Sequence, residues 1–247
     1  MNVTRGPVRF RVGGDHDAFW ARVVDNDWEP GSYQVLDRFL APGMIMVDIG
    51  AWIGPLTLYA AGLGATVRAY EPDPVARADL EANLALNPEL AERVTISPLA
   101  VGAGVAELRL GNRTSGRGGD SMSSLLFGDA GVGWPVRSVG LADVLAAIPA
   151  KQLGLVKIDI EGAEVEVLEA AADCLAGQPP LYLSVHPRFW LPDALPRLRR
   201  LADLLAAYEV LLTPDLEPFP RQHIFTEPYA GGLFELVACS RHRWGYG

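Results

Sequence analysis

The sequence contains little cysteine and no long uninterrupted hydrophobic segment. Its two cysteines, Cys174 and Cys239, both lie in apolar segments, which predicts two small core residues in a reducing compartment. The first ten residues, MNVTRGPVRF, lack the apolar stretch of a signal peptide, and no later segment is long enough and sufficiently free of charge and proline to cross a bilayer. We therefore expect a cytoplasmic protein without a membrane partner.

Positively charged residues are also fewer than negatively charged ones. The 21 Lys and Arg residues are outnumbered by 30 Asp and Glu residues, which gives a formal net charge of -9, and no basic run occurs. Because nucleic-acid binders present clustered basic residues to the phosphate backbone, the composition argues against a nucleic-acid partner. The excess of acidic residues is consistent with solubility. No internal repeat is evident.

What the chain does contain is an alternation of apolar strands and helices. With 247 residues and 49% hydrophobic content, it is large enough for one domain with a well-buried core. Several strands are apolar almost continuously, as expected when helices cover both faces of a parallel sheet. The pattern predicts an α/β fold with a Rossmann-like, doubly wound, mostly parallel sheet. The predicted strands are 44–49, 66–70, 94–101, 153–160, 181–185, 209–212 and 234–238, and the predicted helices are 55–63, 74–86, 163–175 and 193–207.

Residues 1–42 precede this alternation and are predicted to form a short N-terminal helical cap over the ligand edge of the sheet. Residues 16–24 and 32–40 have helical spacing of apolar residues, and Pro42-Gly43 ends the second helix. Residues 43–247 are assigned to the main domain. Within it, residues 106–110 predict one strand of a small hairpin. The Gly- and Ser-rich residues 111–124 predict a mobile loop, either a linker or a lid over the ligand.

The first motif with chemical content is VDIGAWIG, residues 47–54. Gly50 and Gly54 allow the backbone to turn sharply at the end of the first strand, but the spacing G-x-x-x-G does not match the G-x-G-x-x-G of a dinucleotide site. Asp48 would repel a pyrophosphate and suits a cationic ligand such as the sulfonium and ammonium of S-adenosylmethionine. Glu71 ends the second strand, where a carboxylate can accept both ribose hydroxyls. Alternatively, both acids merely cap the turns that follow.

The second motif is KIDIEGAE, residues 157–164. Strand alternation puts Lys157, Asp159 and Glu161 on one face, where they are expected to pair with one another and line a cleft. His186 ends the following strand and is a candidate base or orienting residue beside Asp159. Asp159, Glu161 and His186 could instead form a metal site, but no tight ligand spacing such as H-x-x-x-H supports it. The sequence therefore favours acid–base chemistry without a metal.

These blocks together resemble the FkbM family of S-adenosylmethionine-dependent methyltransferases, which have the class I methyltransferase fold. The resemblance rests on three motifs: VDIGAWIG, YEPDP at residues 70–74 with NLALN at 83–87, and VKIDIEGAE at 156–164. It implies that Asp48, Gly50, Ala51 and Gly54 hold the methionine part of S-adenosyl-L-methionine. It further implies that Glu71 binds the ribose, that Ala100 lies near the adenine, and that Asp159 faces the sulfonium methyl.

Trp52 is the main departure from the family pattern, since Asn is usual at this position. We include Trp52 among the cofactor-binding residues because it lies in the same turn. Its bulk predicts either packing against the N-terminal cap or a reshaped pocket.

The resemblance implies O-methylation of a hydroxyl on a small molecule, a sugar or glycan, or a natural product. Asp159 and His186 are expected to act together as the general base, with Glu161 and Lys157 beside them. Two alternatives remain open: a non-catalytic binding module on a methyltransferase scaffold, and an NAD-dependent oxidoreductase. Oligomerisation is possible but not predicted by any motif.

Overall fold

The computed structural model describes residues 1–112, 123–127, 132–226 and 232–245. Strands and helices alternate through the main part of the chain. The strands are β1 Asn2–Arg5, β2 Val8–Arg11, β3 Ile45–Ile49, β4 Thr66–Tyr70, β5 Val94–Ser97, β6 Ala100–Gly102, β7 Glu107–Asn112, β8 Ser123–Ser124, β9 Val132–Gly140, β10 Leu153–Ile158, β11 Leu181–Val185, β12 Val210–Leu212 and β13 Phe234–Cys239. The helices are α1 Asp17–Val24, α2 Pro30–Phe39, α3 Pro55–Gly62, α4 Pro74–Ala85, α5 Pro88–Ala91, α6 Leu141–Ala146, α7 Glu164–Ala170, α8 Ala172–Leu175, α9 Ala194–Leu204 and α10 Arg241–Trp244.

Seven strands form the central sheet in the order β12-β13-β11-β10-β3-β4-β5. β3 is paired in parallel with both β4 and β10, whereas β13 runs antiparallel to its neighbours β11 and β12. From β3, the chain adds β4 and β5 on one side of the sheet and later adds β10 and β11 on the other side. Open α/β sheets bind ligands at such a reversal of strand order, which lies here between β3 and β10. The predicted doubly wound, mostly parallel α/β fold is confirmed.

Alternate residues of each strand supply two cores, one on each face of the sheet. In β3, Ile45, Val47 and Ile49 belong to one buried cluster. The intervening Met46 belongs to the cluster on the opposite face. Helices cover both faces, and the central strands β3, β10 and β11 are buried at every position. Asp48 is a buried carboxylate within this apolar strand, which singles it out for a role other than packing.

The N-terminal segment packs against the α3 side of the sheet. It contains the two predicted helices as α1 and α2, and also the hairpin of β1 and β2, which the sequence did not predict. Tyr33 of α2 meets Tyr59 of α3 edge-on at a ring separation of 4.9 Å, and Arg5 lies 4.5 Å above the Tyr33 ring. Val8 and Phe10 of the hairpin are buried in the same cluster as α3. The segment is therefore fixed to the sheet beside the carboxyl ends of its strands.

The predicted strand 94–101 is two strands that belong to different sheets. β5 ends at Ser97 and joins the central sheet, whereas β6 begins at Ala100 and pairs in parallel with β9. Pro98 lies at the break, and because proline has no N–H to donate, the ladder cannot continue through it. β6, β9, β7 and β8 form a second, four-stranded sheet next to the carboxyl edge of the first.

Two other predicted boundaries differ. The predicted strand 153–160 ends at Ile158, because Glu161 and Gly162 adopt positive φ of 55° and 108° and turn the chain. The predicted helix 163–175 is interrupted at Ala171, whose N–H donates to the carbonyl of Leu168, three residues back, at 3.2 Å. That shorter hydrogen-bonded turn tightens the helix and separates α7 from α8.

The predicted loop 111–124 falls largely outside the described residues. Its ends form a short ladder, in which Gly111 pairs with Ser124 and Asn112 pairs with Ser123, while residues 113–122 are not described. In the part of the chain that is described, none of the helices combines the length and the apolar character needed to span a membrane.

Candidate active site

A cavity of about 370 Å³ opens at the carboxyl ends of β3, β4, β10 and β11, and the N-terminal segment and the second sheet close its sides. It brings together nearly all of the residues singled out in the sequence. Those lining it are Asp48, Gly50, Ala51, Trp52, Glu71, Ala100, Lys157, Asp159, Glu161 and His186. Gly54 is not among the described residues that line it. A side chain at Gly54 would collide with Leu80, so close packing against Leu80 favours glycine at this position.

Gly50 is the point of closest approach between the turns that follow β3 and β10. Its φ is +80°, and a Cβ at this position would lie 1.9 Å from the carbonyl oxygen of Asp159. The N–H of Gly50 donates to the Tyr70 carbonyl at 3.0 Å, which fixes the turn against β4 as well. Only glycine satisfies both the backbone conformation and the contact. The turn therefore locates Asp48 and Asp159 relative to each other.

Replacing Gly50 with Ala is expected to lower the free energy of unfolding by about 3 kcal/mol, since it adds the cost of a positive φ to that of a backbone clash. Urea denaturation measures this loss. Gly43→Ala is the matched control, because Gly43 has a φ of +86° and no heavy atom lies within 4 Å of the place that its Cβ would occupy. The control therefore carries the φ cost alone. Equal losses for the two variants would show that the Gly50 contact is unimportant.

Glu71 is buried, and among the described residues each of its two carboxylate oxygens accepts one hydrogen bond. One oxygen accepts the N–H of Trp52 at 2.7 Å and the other accepts the N–H of Asp73 at 2.8 Å. Each oxygen keeps a second lone pair, so the carboxylate can accept two further donors side by side. Burial raises the pKa of Glu71 to about 7, against the opposing effect of these two hydrogen bonds. The geometry suits a pair of neighbouring hydroxyls.

Lys157 neutralises a group of acids at the centre of the cavity. Its Nζ donates to the Gly50 carbonyl at 2.7 Å and lies 3.5 Å from Asp48 and 3.6 Å from Asp159. Burial would lower the pKa of Lys157, but the charges of Asp48 and Asp159 outweigh burial and raise it. Asp48 also accepts a hydrogen bond from the Thr57 hydroxyl at 2.5 Å. The lysine therefore stays charged and holds the two strand-end carboxylates together.

His186 stands among three carboxylates. Its Nδ1 lies 2.8 Å from Oε1 of the fully buried Glu164, and its Nε2 lies 3.4 Å from Glu161 and 3.6 Å from Asp159. Burial would lower the pKa of His186, but the hydrogen bond with Glu164 and the nearby negative charges raise it to about 9. Burial raises the pKa of Glu161 to about 7. At neutral pH His186 is therefore the charged imidazolium, and it orients the acids around it. Asp159 is the most exposed carboxylate of the group.

Trp52 packs against the N-terminal segment and also lines the cavity. Its ring meets Phe19 edge-on at 4.6 Å and His16 at 5.8 Å. Its φ is +51°, a region in which Asn is tolerated and a bulky residue is rare. The predicted packing against the N-terminal cap is confirmed by these contacts, and the side chain also forms part of the wall of a cavity that stays open.

Sequence reasoning missed Glu29, which lies at the start of α2 and lines the cavity. Its carboxylate accepts a hydrogen bond from Ser32 at 3.0 Å, and the Ser32 hydroxyl is 2.6 Å from that of Tyr182, which donates to Glu235 at 2.7 Å. Burial and the charges of Glu235 and Asp159 raise the pKa of Glu29 to about 8. An acid directly before a helix-starting proline was the available signal.

The described ends of the 111–124 segment touch the cavity. The Ser123 hydroxyl donates to Asp73 at 2.8 Å, and the Ser124 hydroxyl donates to the carbonyl of Glu161 at 2.7 Å. Leu110 and Leu125 supply apolar wall on the same side. The second sheet thus forms one side of the cavity, opposite α1.

A family model for the methyltransferase FkbM domain matches residues 48–199 of the chain. The 31-O-demethyl-FK506 methyltransferase FkbM of Streptomyces tacrolimicus is 35% identical over 161 residues, which cover 54% of this chain and 62% of that protein. A ribosomal protein L11 methyltransferase of Bacillus cereus is 44% identical over 55 residues, or 22% of this chain and 18% of that protein. The chain therefore matches less than two thirds of the length of either relative.

Among solved structures, the methyltransferase FkbM of Methylobacillus flagellatus is similar with a TM-score of 0.49 and 17% identity. That match covers 88% of this chain and 60% of the other.

Proposed function

The chain belongs to the FkbM family of methyltransferases, and from this premise we propose that it transfers a methyl group to a hydroxyl oxygen of a small molecule, sugar or natural product. Its cofactor is S-adenosyl-L-methionine. The observation that carries the proposal is the position of Asp159. Asp159 directly follows β10, and its carboxylate lies in the cavity between Lys157 and His186, with a side-chain exposure of 26% where these neighbours are buried.

The described residues fit the cofactor on four counts. A cavity of about 370 Å³ lies within the range of small-molecule sites. Glu71 keeps one free lone pair on each oxygen for two ribose hydroxyls. Asp48 and Asp159 line the cavity where a ligand with an ammonium and a sulfonium would meet negative charge. The bare backbone of Gly50 allows such a ligand to approach closely.

In the proposed reaction, the bound cofactor supplies an electrophilic methyl group. Asp159 accepts the proton of the acceptor hydroxyl, so that the oxygen attacks as a better nucleophile. Protonated His186 and Lys157 hold the Asp159 carboxylate from two sides and fix its direction. Apolar walls from Phe19, Leu110 and other residues exclude water from the site.

The choice of acceptor follows from charge and from the named relative. The net charge of -9 and the carboxylates around the cavity disfavour a polyanionic acceptor such as RNA. The Streptomyces relative, by its name, methylates 31-O-demethyl-FK506, which supports a hydroxyl-bearing natural product as one acceptor class. Trp52 leaves the cavity open, and this favours an enzyme over a binding module whose pocket has been filled.

Cofactor binding offers the first test, through Glu71. The carboxylate must be ionised to accept both ribose hydroxyls, and the pKa of Glu71 in the free protein is about 7. The neighbouring Asp73 carboxylate raises this pKa and Lys157 lowers it. Affinity for S-adenosyl-L-methionine should therefore fall about tenfold as pH is lowered from 8 to 6. Isothermal titration calorimetry at a series of pH values measures the change.

In Glu71→Gln, affinity at pH 8 should be lower and its dependence on pH should flatten. Glu89→Gln, an exposed acid on α5, is the matched control and should behave as the unaltered protein does. Unchanged affinity in Glu71→Gln would contradict the ribose assignment. A complete absence of binding heat in the unaltered protein would favour a non-catalytic module.

A further inference from the structure

We propose that Asp159, Glu161 and His186 form a binding site for one divalent metal cation, which opens into the cavity and receives the oxygen atoms of the acceptor. The inference deepens the proposed methyl transfer and rests on it for its role in the reaction. The binding itself does not depend on that reaction. No spacing in the sequence favours a metal, because the three residues come from two separate segments of the chain.

The spacing of the three side chains in the fold fits a single ion. One ligand atom from each residue lies within 4.8 Å of the other two. Nε2 of His186 is 3.4 Å from Oε2 of Glu161 and 3.6 Å from Oδ1 of Asp159. Both distances are too long for good hydrogen bonds. Ligand atoms about 2.1 Å from one ion are roughly 3–3.5 Å apart, so small side-chain movements would close the shell.

His186 is oriented in the way that metal-binding histidines are. Its Nδ1 is engaged by Oε1 of Glu164 at 2.8 Å, and Glu164 is completely buried and also accepts the Gly162 N–H at 2.9 Å. A carboxylate on one ring nitrogen fixes the imidazole and increases the basicity of the other nitrogen. That other nitrogen, Nε2, faces Asp159 and Glu161. A cation would take the place of the Nε2 proton.

Glu161 provides an independent indication. The residue is only 6% exposed, and its buried Oε2 has no hydrogen-bond partner among the described residues. Among the described residues, the nearest cationic atoms are His186 Nε2 at 3.4 Å and an Arg188 nitrogen at 3.6 Å. A buried carboxylate oxygen without a hydrogen bond is costly, and coordination of a metal would satisfy it.

Two carboxylates and one imidazole suit a first-row divalent cation such as Mn²⁺ or Zn²⁺. Three protein ligands leave further coordination positions open toward the cavity. An acceptor with two adjacent oxygens, such as a vicinal diol or an α-hydroxy ketone, could occupy two of them. A cation there would lower the pKa of the bound hydroxyl. Its proton would then leave to Oδ2 of Asp159, the oxygen that faces Lys157 rather than His186.

The test is a titration of the full chain with Mn²⁺ in the absence of cofactor and acceptor, followed by calorimetry and by electron paramagnetic resonance. We expect one bound ion per chain and a rise in melting temperature on binding. Glu161→Gln and His186→Gln should each weaken Mn²⁺ binding at least tenfold. Glu169→Gln is the matched control, because Glu169 lies on α7 and pairs with Arg200 at the surface.

Failure to bind Mn²⁺ or Zn²⁺ at millimolar concentration would overturn the proposal, as would equal affinity in Glu161→Gln and the unaltered protein. Circular dichroism of each variant separates lost binding from lost folding, and Glu161→Gln serves if His186→Gln does not fold. Metal binding without cofactor binding would retain this site and reject the methyltransferase proposal. The reverse result would reject only the metal site.

Discussion

Asp159→Asn is expected to lower turnover by about 100- to 10,000-fold, which is the range that a positioned general base contributes. The amide keeps the size and shape of the side chain but cannot accept the hydroxyl proton. Because the ribose contact assigned to Glu71 is unchanged in this variant, affinity for S-adenosyl-L-methionine should fall less than turnover, although Asp159 lies close to Asp48 and Gly50. Single-turnover methyl transfer to an alcohol acceptor and calorimetric titration measure the two quantities separately.

Glu169→Gln again provides the surface control and should retain full turnover. If Asp159→Asn transfers methyl groups at the normal rate, Asp159 is not the base and the proposed arrangement of the site is wrong. If turnover and cofactor affinity instead fall in equal proportion, Asp159 acts in binding rather than in proton transfer. The expectation is the same whether or not a metal occupies the site, because Asp159 accepts the proton in both versions.

Lys157→Met is expected to lower the free energy of unfolding by about 3–5 kcal/mol, as the loss of one partner from a buried ion pair does. Met fills a similar volume but leaves Asp48 and Asp159 without their cation. Asp48 is 1% exposed, so water cannot compensate for the lost charge. Urea denaturation followed by circular dichroism measures the change.

Lys151→Met is the matched control, because Lys151 is the other lysine of the chain and is exposed just before β10. It should change stability by less than about 0.5 kcal/mol. The double variant Lys157→Met/Asp48→Asn should recover part of the loss, because it removes one of the uncompensated charges. If Lys157→Met is as stable as Lys151→Met, the ion pair does not hold the two strand ends together.

The course of the central sheet could be predicted from the sequence because its strands are apolar and alternate with helices. The parallel strands β3, β4, β10 and β11 lie within the predicted ranges, and their carboxyl ends meet at one edge. That rule alone brings Asp48, Glu71, Asp159 and His186 into one cavity. The sequence therefore predicted that these four residues lie together.

Other features depended on contacts that periodicity does not show. Residues 94–101 were predicted as one strand although Pro98 interrupts them, and the pairing with β9 shows that their second half belongs to another sheet. The β1–β2 hairpin is short and lies outside the motif region. Glu29 reaches the cavity through a positive φ of 41° and a hydrogen-bond chain to Glu235, which is near the other end of the sequence.

For Trp52 and His186, the sequence identified the residue but not the contacts that its side chain makes. The sequence marked Trp52 as unusual, but its contact with Phe19 depends on how the N-terminal segment folds back. His186 was predicted as one of two candidate bases. The partner that fixes its ring, Glu164, lies beyond the strand end and was not identified as part of the site. The raised pKa of His186 depends on its distances from three carboxylates, and the sequence does not give those distances.

The central claim is that the cavity binds the methyl donor with its ribose at Glu71 and its sulfur beside Asp159. The most direct measurement is a crystal structure of the chain with the demethylated cofactor, S-adenosylhomocysteine. We expect both ribose hydroxyls on the Glu71 carboxylate, and a sulfur that faces Asp159 across an open space for the acceptor. A ribose bound away from Glu71, or a sulfur turned away from Asp159, would contradict it.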